Sequence, residues 1–99
     1  MVIFWSSIIV NEHFEKEIEW RNKLIKKYKC DFVSGEHDIM IWGIGMNVDI
    51  FGRKGDDIYI VEIGSVQGRK LKWLKKYTEF NNKCHFIHVK LIKNHARGD

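Results

Sequence analysis

The sequence predicts a single α/β domain with the order helix, three strands, helix, strand. Apolar residues recur at helical spacing in two segments, and strand-like runs separated by glycine-containing turns lie between them. A β-branched apolar run follows the second helical segment. The apolar fraction of 44% and the charged fraction of 30% are those of a globular protein. No repeat or proline divides the chain, so residues 1–99 are predicted to form one domain.

The first helix is predicted from Asn11 to about Tyr28. Phe14, Ile18 and Ile25 recur at helical spacing, and Asn11 is placed as the N-cap. Lysines at the C-terminal end match the sign that the helix dipole favours there. The preceding residues 1–10 are apolar and aromatic, and a dimer contact is one way to bury them.

Three strand-like runs follow the helix, at residues 38–42, 47–51 and 57–63, and glycine-containing turns separate them. These runs predict an antiparallel meander. Apolar residues at helical spacing between residues 66 and 80 then predict a second helix, and residues 84–92 predict a fourth strand.

The connection from the third strand to the fourth contains a whole helix, which permits a right-handed parallel crossover. We therefore expect a mixed sheet with helices packed on it. The final residues 95–99 lack an apolar anchor and are expected to fray.

The overall composition favours an anionic partner and a reducing compartment. Lys and Arg outnumber Asp and Glu by 17 to 13, which gives a formal charge of +4. The apolar opening has no basic stretch or cleavage site of a secretory signal, and it is too short to span a bilayer. With Cys30 and Cys84 as the only cysteines, we expect a cytoplasmic protein without a membrane anchor. A disulfide between them stays open.

Only one pair of carboxylates, Asp49 and Glu62, is predicted to lie inside strands. A four-residue turn from Lys54 to Asp57 sets the two directly opposite, and a two-residue turn of Lys54 and Gly55 sets them one diagonal step apart on the same face. A three- or five-residue turn sends them to opposite faces. Two close carboxylates repel each other unless a divalent cation or a shared proton offsets the charge, and oxygen ligands suit Mg²⁺ or Mn²⁺. The alternative is that both only keep the solvent side of the sheet soluble.

The second predicted helix has a strongly basic outward face around Leu71 and Leu74. A phosphate backbone could neutralise this face, and the affinity would then fall with salt; the alternative is a solvated lysine surface. The positive side chains are Arg69, Lys70, Lys72, Lys75 and Lys76.

Other motifs do not predict a site. His85 and His88 are three residues apart, which places them on opposite faces of a strand and excludes a zinc site. Gly43 and Gly45 lack the third glycine of a dinucleotide loop, so we interpret them as a turn. The cysteines are expected to be packing residues.

The element order, the hairpin NVDIFGRKGDDIYIVEIG and the following helix QGRKLKWLKKY resemble the PD-(D/E)XK nuclease superfamily over residues 11–89. The resemblance implies a restriction-endonuclease-like core in which Asp49, Glu62 and the backbone carbonyl of Ile63 hold Mg²⁺ or Mn²⁺. In that family a lysine two residues after the second acid assists the attacking water, whereas this chain has Gly64 there. The next helix offers replacements, namely Gln67, Arg69 and Lys70.

The resemblance also implies a further acidic ligand from the first helix. Glu17 is the candidate, with Glu15 and Glu19 as runners-up. The implied function is metal-dependent hydrolysis of DNA, with the backbone bound by Arg69, Lys72, Lys75 and Lys76. The alternative is an inactive nucleic-acid-binding or assembly module that keeps the nuclease fold, which Gly64 favours. We expect a homodimer, and a purely structural homodimer built on residues 1–10 is a third possibility.

Overall fold

The computed structural model describes residues 12–91, which form a four-stranded sheet with a helix packed on each face. The strand order is β1-β2-β3-β4, with antiparallel pairing from β1 to β3 and parallel pairing of β3 with β4. The predicted α/β class, the meander and the parallel crossover strand are therefore confirmed. The elements are α1 (Glu12–Lys26), β1 (Phe32–Ile41), β2 (Ile44–Lys54), β3 (Asp57–Ile63), α2 (Gly68–Phe80) and β4 (Cys84–Val89).

Several predicted boundaries were wrong. The first strand begins at Phe32 rather than at residue 38, because its first half, which lacks apolar alternation, still pairs with the long partner strand β2. The second strand likewise extends on both sides of residues 47–51. The fourth strand ends at Val89 instead of residue 92, and α2 starts two residues later than expected. The N-terminal dimer contact and the frayed tail lie outside the described residues.

The two hairpin turns set the register of the meander. Trp42 and Gly43 join β1 to β2 with φ angles of 50° and 81°, the positive values that a type I′ turn requires at both central positions. Lys54 pairs with Asp57 across the second turn, so Ile50 pairs with Val61 and the preceding Asp49 lies opposite Glu62. This is the register predicted for a turn spanning residues 54–57.

The core consists of two apolar layers, one on each face of the sheet. Consecutive residues of β3 supply both layers, because neighbouring side chains on a strand point to opposite faces. Val61 packs with Leu24 of α1, and Ile60 packs with Leu74 of α2. Among the described residues, Glu62 is the one buried charged side chain, and neither helix is long and apolar enough to cross a membrane.

Candidate metal and nucleic-acid site

An open pocket of about 550 Å³ lies where β3 ends, between the first turns of α1 and α2. The helix α1 contributes His13, and α2 contributes Lys70. The segment from residue 64 to residue 67, which joins β3 to α2, forms one wall. Asp49 and Glu62 both line this pocket, so the sheet brings together the two carboxylates that the sequence singled out.

Reciprocal hydrogen bonds hold these carboxylates side by side. The backbone N–H of Asp49 donates to Oε2 of Glu62 over 3.0 Å, and the backbone N–H of Ile63 donates to Oδ2 of Asp49 over 2.7 Å. Each side chain thus accepts a hydrogen bond from the neighbouring strand. The predicted geometry, with adjacent antiparallel strands and the two acids directed into one space, is confirmed.

The Glu62 side chain is 5% exposed, and its surroundings act on its charge in opposite directions. Burial raises the pKa of Glu62 most, and the nearby charge of Asp49 raises it further. Hydrogen bonds from the ammonium of Lys70 and from the Asp49 N–H lower it, but the pKa remains above its usual value. The pocket therefore disfavours the ionised form of Glu62 beside Asp49. A cation bound there would favour that ionised form.

Lys70 is the cation that reaches this pair. Its Nζ lies 3.0 Å from Oε1 of Glu62 and also donates to the backbone carbonyl of Asn47. Gln67, Arg69 and Lys70 were the candidates to replace the missing lysine. Of these, Gln67 lines the pocket, and its side chain does not form a hydrogen bond that caps α2. Arg69 is exposed and does not line the pocket. Lys70 and Gln67 therefore both line the pocket, and Lys70 also forms an ion pair with Glu62.

Gly64 has a backbone conformation that disfavours a side chain at this position. Its φ angle is 83°, a region that residues with a side chain rarely adopt. A Cβ atom there would lie 3.1 Å from Cδ1 of Leu91. The backbone is fixed on both sides, because the Gly64 N–H donates to the carbonyl of Val89 and its carbonyl accepts a hydrogen bond from Nε2 of His88. A lysine at this position would be strained.

The sequence did not predict the positions of two histidines, His13, which lines the pocket, and His88, which contacts the backbone of its wall. Nε2 of His13 lies 3.5 Å from Oδ2 of Asp49, and its side chain is 39% exposed. No local pattern of the sequence indicated its position, which depends on how α1 packs across the sheet. His88 lies opposite Glu62 in the parallel pair and anchors the segment at Gly64.

The structure does not bring a third acid into the pocket. Glu17 pairs with Arg21 at 3.6 Å and lies against the backbone at Gly35, where a Cβ atom would be 2.6 Å from its Oε2. The runner-up Glu15 is exposed, and Glu19 pairs with lysines of its own helix. No group of three or more His, Cys, Asp or Glu side chains within residues 12–91 forms a metal-binding cluster. Glu17 therefore does not line the pocket in this structure, and its ligand role stays a prediction.

The basic face of α2 is directed to solvent, as predicted. Four of its cations are exposed and form no ion pair with any described residue: Arg69, Lys72, Lys75 and Lys76.

Both cysteines contribute to packing. Cys30 and Cys84 are free thiols, and burial raises the pKa of the Cys84 thiol to about 11. A thiol with so high a pKa is a poor nucleophile at neutral pH.

Comparison of the chain with protein-family models, with curated proteins and with solved structures found no match.

Proposed function

We propose that this protein is a Mg²⁺- or Mn²⁺-dependent phosphodiesterase that acts on DNA, with a restriction-endonuclease-like core. The observation that carries this proposal is the position of Lys70. Its ammonium contacts Glu62 beside Asp49, in the pocket where the positive φ of Gly64 disfavours a side chain just after β3. Two acids and a lysine are the groups that the resemblance implies, with the lysine supplied from α2.

The donor set suits a hard divalent cation. Mg²⁺ is commonly held by one or two carboxylates together with water and substrate phosphate, and it does not require an all-protein cage. Asp49 and Glu62, with the carbonyl of Ile63, would hold the ion. The bound ion would polarise the phosphate and lower the pKa of a bound water.

The other side chains of the pocket would then have separate roles in positioning water and phosphate. Lys70 would release Glu62 to the cation and direct its ammonium to the attacking water or to a phosphate oxygen, where developing negative charge needs stabilisation. Gln67 would donate a hydrogen bond from the same wall. Phosphates outside the pocket would be neutralised by the exposed cations of α2.

Cleavage of plasmid and branched DNA, with Mg²⁺ or Mn²⁺ and with EDTA, tests this proposal. Asp49→Asn and Lys70→Met should each lower the rate by about 100-fold or more, because they remove a metal ligand and the positioned cation. Lys26→Ala is the matched control, since it removes an exposed lysine of α1 outside both the pocket and the basic face of α2. Activity that survives EDTA or Asp49→Asn would refute the metal-dependent mechanism.

The ion pair between Lys70 and Glu62 favours a second candidate, an inactive nucleic-acid-binding or assembly module with the same fold. The lysine already neutralises one acid, so the pair is accommodated without a metal. Titration with Mn²⁺, followed by the paramagnetic signal of the free ion, distinguishes the two. The enzyme should bind one ion per chain and lose it in Asp49→Asn, whereas the inactive module should bind none.

A further inference from the structure

A cluster of aromatic rings lies against the second half of α2, away from the pocket. The ring of Trp42, at the tip of the β1–β2 hairpin, contacts three rings of the helix edge to face. The centroid distances are 5.1 Å to Trp73, 5.4 Å to Tyr77 and 5.8 Å to Phe80. Trp42 remains 49% exposed and Phe80 73% exposed, so solvent reaches both rings.

The hairpin holds Trp42 in a conformation that does not suit its side chain. Its φ angle is 50°, at the first central position of a type I′ turn, where Asn, Asp and Gly are favoured. A bulky residue with positive φ is unusual and costs conformational energy. The chain therefore keeps an aromatic ring at this surface against the local preference of the turn.

Basic side chains continue from this aromatic cluster along the exposed side of α2 towards its N-terminal end. Lys72, Lys76 and Phe80 follow one another at four-residue spacing, so they lie along one side of α2, and all three are exposed. From Lys70 in the pocket to Phe80, the ten-residue helical rise is about 15 Å.

We propose that Trp42 and Phe80 form a stacking platform for unpaired bases of a nucleic-acid strand whose phosphates run past Lys76 and Lys72 towards the pocket. Aromatic rings beside a basic track are the combination that binds single strands with little sequence preference. A duplex keeps its base faces stacked internally and offers none to these rings. The inference rests on the proposed function and deepens it, because it names a strand with unpaired bases as the substrate class.

The charge of the surface favours this partner over a second copy of the chain. A twofold interface would bring the same patch of both copies together. Such an interface would gather the positive charges of Lys72 and Lys76 from both copies in one patch, where they would repel. A polyanionic strand neutralises them instead.

Fluorescence anisotropy of a labelled single strand and of the matched duplex, measured in EDTA so that nothing is cleaved, tests the proposal. Trp42→Asn suits the turn and deletes the ring, and Phe80→Ala truncates an exposed side chain, so both variants should fold. Each should weaken single-strand binding roughly tenfold and leave duplex binding unchanged. The matched control is Phe32→Ala, at an aromatic residue that is 41% exposed beside the cation of Arg53 at the opposite end of β1.

Equal losses for the strand and the duplex, or an equal loss in Phe32→Ala, would overturn the platform. If Trp42→Asn and Phe80→Ala left the affinity unchanged but converted a dimer to a monomer in sedimentation, the aromatic cluster would serve self-association. That result would also overturn the stacking platform. Comparison of the affinities for DNA and RNA strands of the same sequence identifies whether the surface along Lys72 and Lys76 prefers deoxyribose or ribose. Because binding is measured without metal, a selective loss in these variants supports the platform even if the wild-type protein cleaves nothing.

Discussion

At the scale of single residues, the pocket depends on Gly64, which forms part of its wall, and on Lys70 of α2, which also lines it. The positive φ of Gly64 turns the chain out of β3, and its two backbone hydrogen bonds fix that turn beside β4. The same turn leads into α2, whose first turn returns a lysine to the pocket. The conformation of Gly64 and the contact made by Lys70 are therefore linked through residues 64–70.

Replacement of Gly64 by alanine should lower the free energy of unfolding by about 1–3 kcal/mol, because a side chain there combines a disfavoured φ with a close contact to Leu91. Gly68→Ala is the matched control, since its Cβ would enter open space at the start of α2. It should be neutral or slightly stabilising. Urea denaturation measures both. Equal effects of the two substitutions would contradict the conformational role of Gly64.

The raised pKa of Glu62 predicts a pH dependence of stability. Between its ordinary value of 4.5 and the higher pKa in the fold, the folded state binds more protons than the unfolded chain. The free energy of unfolding therefore falls as the pH rises through this window. Glu62→Gln cannot ionise, so its stability relative to the wild type should increase from pH 4 to pH 7, measured by urea denaturation.

Glu19 supplies the control of opposite sign. Hydrogen bonds from Lys23 and Lys16 lower the pKa of its carboxyl, so its stabilising contribution is present above the ordinary value of 4.5 and is lost as the pH falls. Glu19→Gln should therefore become less stable relative to the wild type as the pH rises. A flat difference for Glu62→Gln would show that its carboxyl is not held in a desolvated site.

At the scale of the elements, the sequence predicted what turns and periodicity determine. The third strand was predicted to the residue, because glycine-containing turns bound its β-branched run on both sides. The first half of β1 was missed, since its Ser-Gly-Glu-His stretch has no apolar alternation and pairs only because β2 is long enough to reach it. Pairing between strands is a tertiary property that a local pattern does not contain.

The pocket likewise combines features that the local sequence predicted with features that depend on tertiary packing. The hairpin register followed from turn length and brought Asp49 and Glu62 together as expected. His13 could not be placed, because its distance from Asp49 depends on how α1 packs across the sheet. The choice of Lys70 among its neighbours likewise depends on where α2 begins relative to β3.

The exposed face of α2 predicts an electrostatic component of nucleic-acid binding. Lys72→Ala and Lys75→Ala should weaken binding to all sequences alike, because phosphate contacts carry no base information. Each lost contact should reduce the slope of log affinity against log salt by about 0.9 for duplex DNA or about 0.7 for a single strand. Binding measured between 50 and 200 mM salt, roughly the range over which such slopes are large, checks this.

Lys26→Ala, at an exposed lysine of α1, is the matched control for these two variants. It removes the same charge from the helix on the opposite face of the sheet and should leave the slope unchanged. If all three variants change the slope equally, the net charge of the protein rather than the α2 face determines binding.

At the scale of the whole molecule, both apolar layers are needed to build the pocket. The layer under α1 positions His13, and the layer under α2 positions Lys70, while the sheet between them carries the two acids. A chain of this size usually unfolds in a single cooperative step. The pocket should then exist only in the fully folded state.

Two matched deletions of one methyl group test this cooperativity. Ile50 is fully buried in the layer under α1, and Ile60 is equally buried in the layer under α2. Ile50→Val and Ile60→Val should each lower the free energy of unfolding by about 0.5–1.5 kcal/mol. Because both layers share one sheet, each variant should shift the whole transition to lower urea with an unchanged slope, and circular dichroism and tryptophan fluorescence should coincide. Separation of the two probes in only one variant would show that its helix layer unfolds independently, and the pocket would then open before the sheet unfolds.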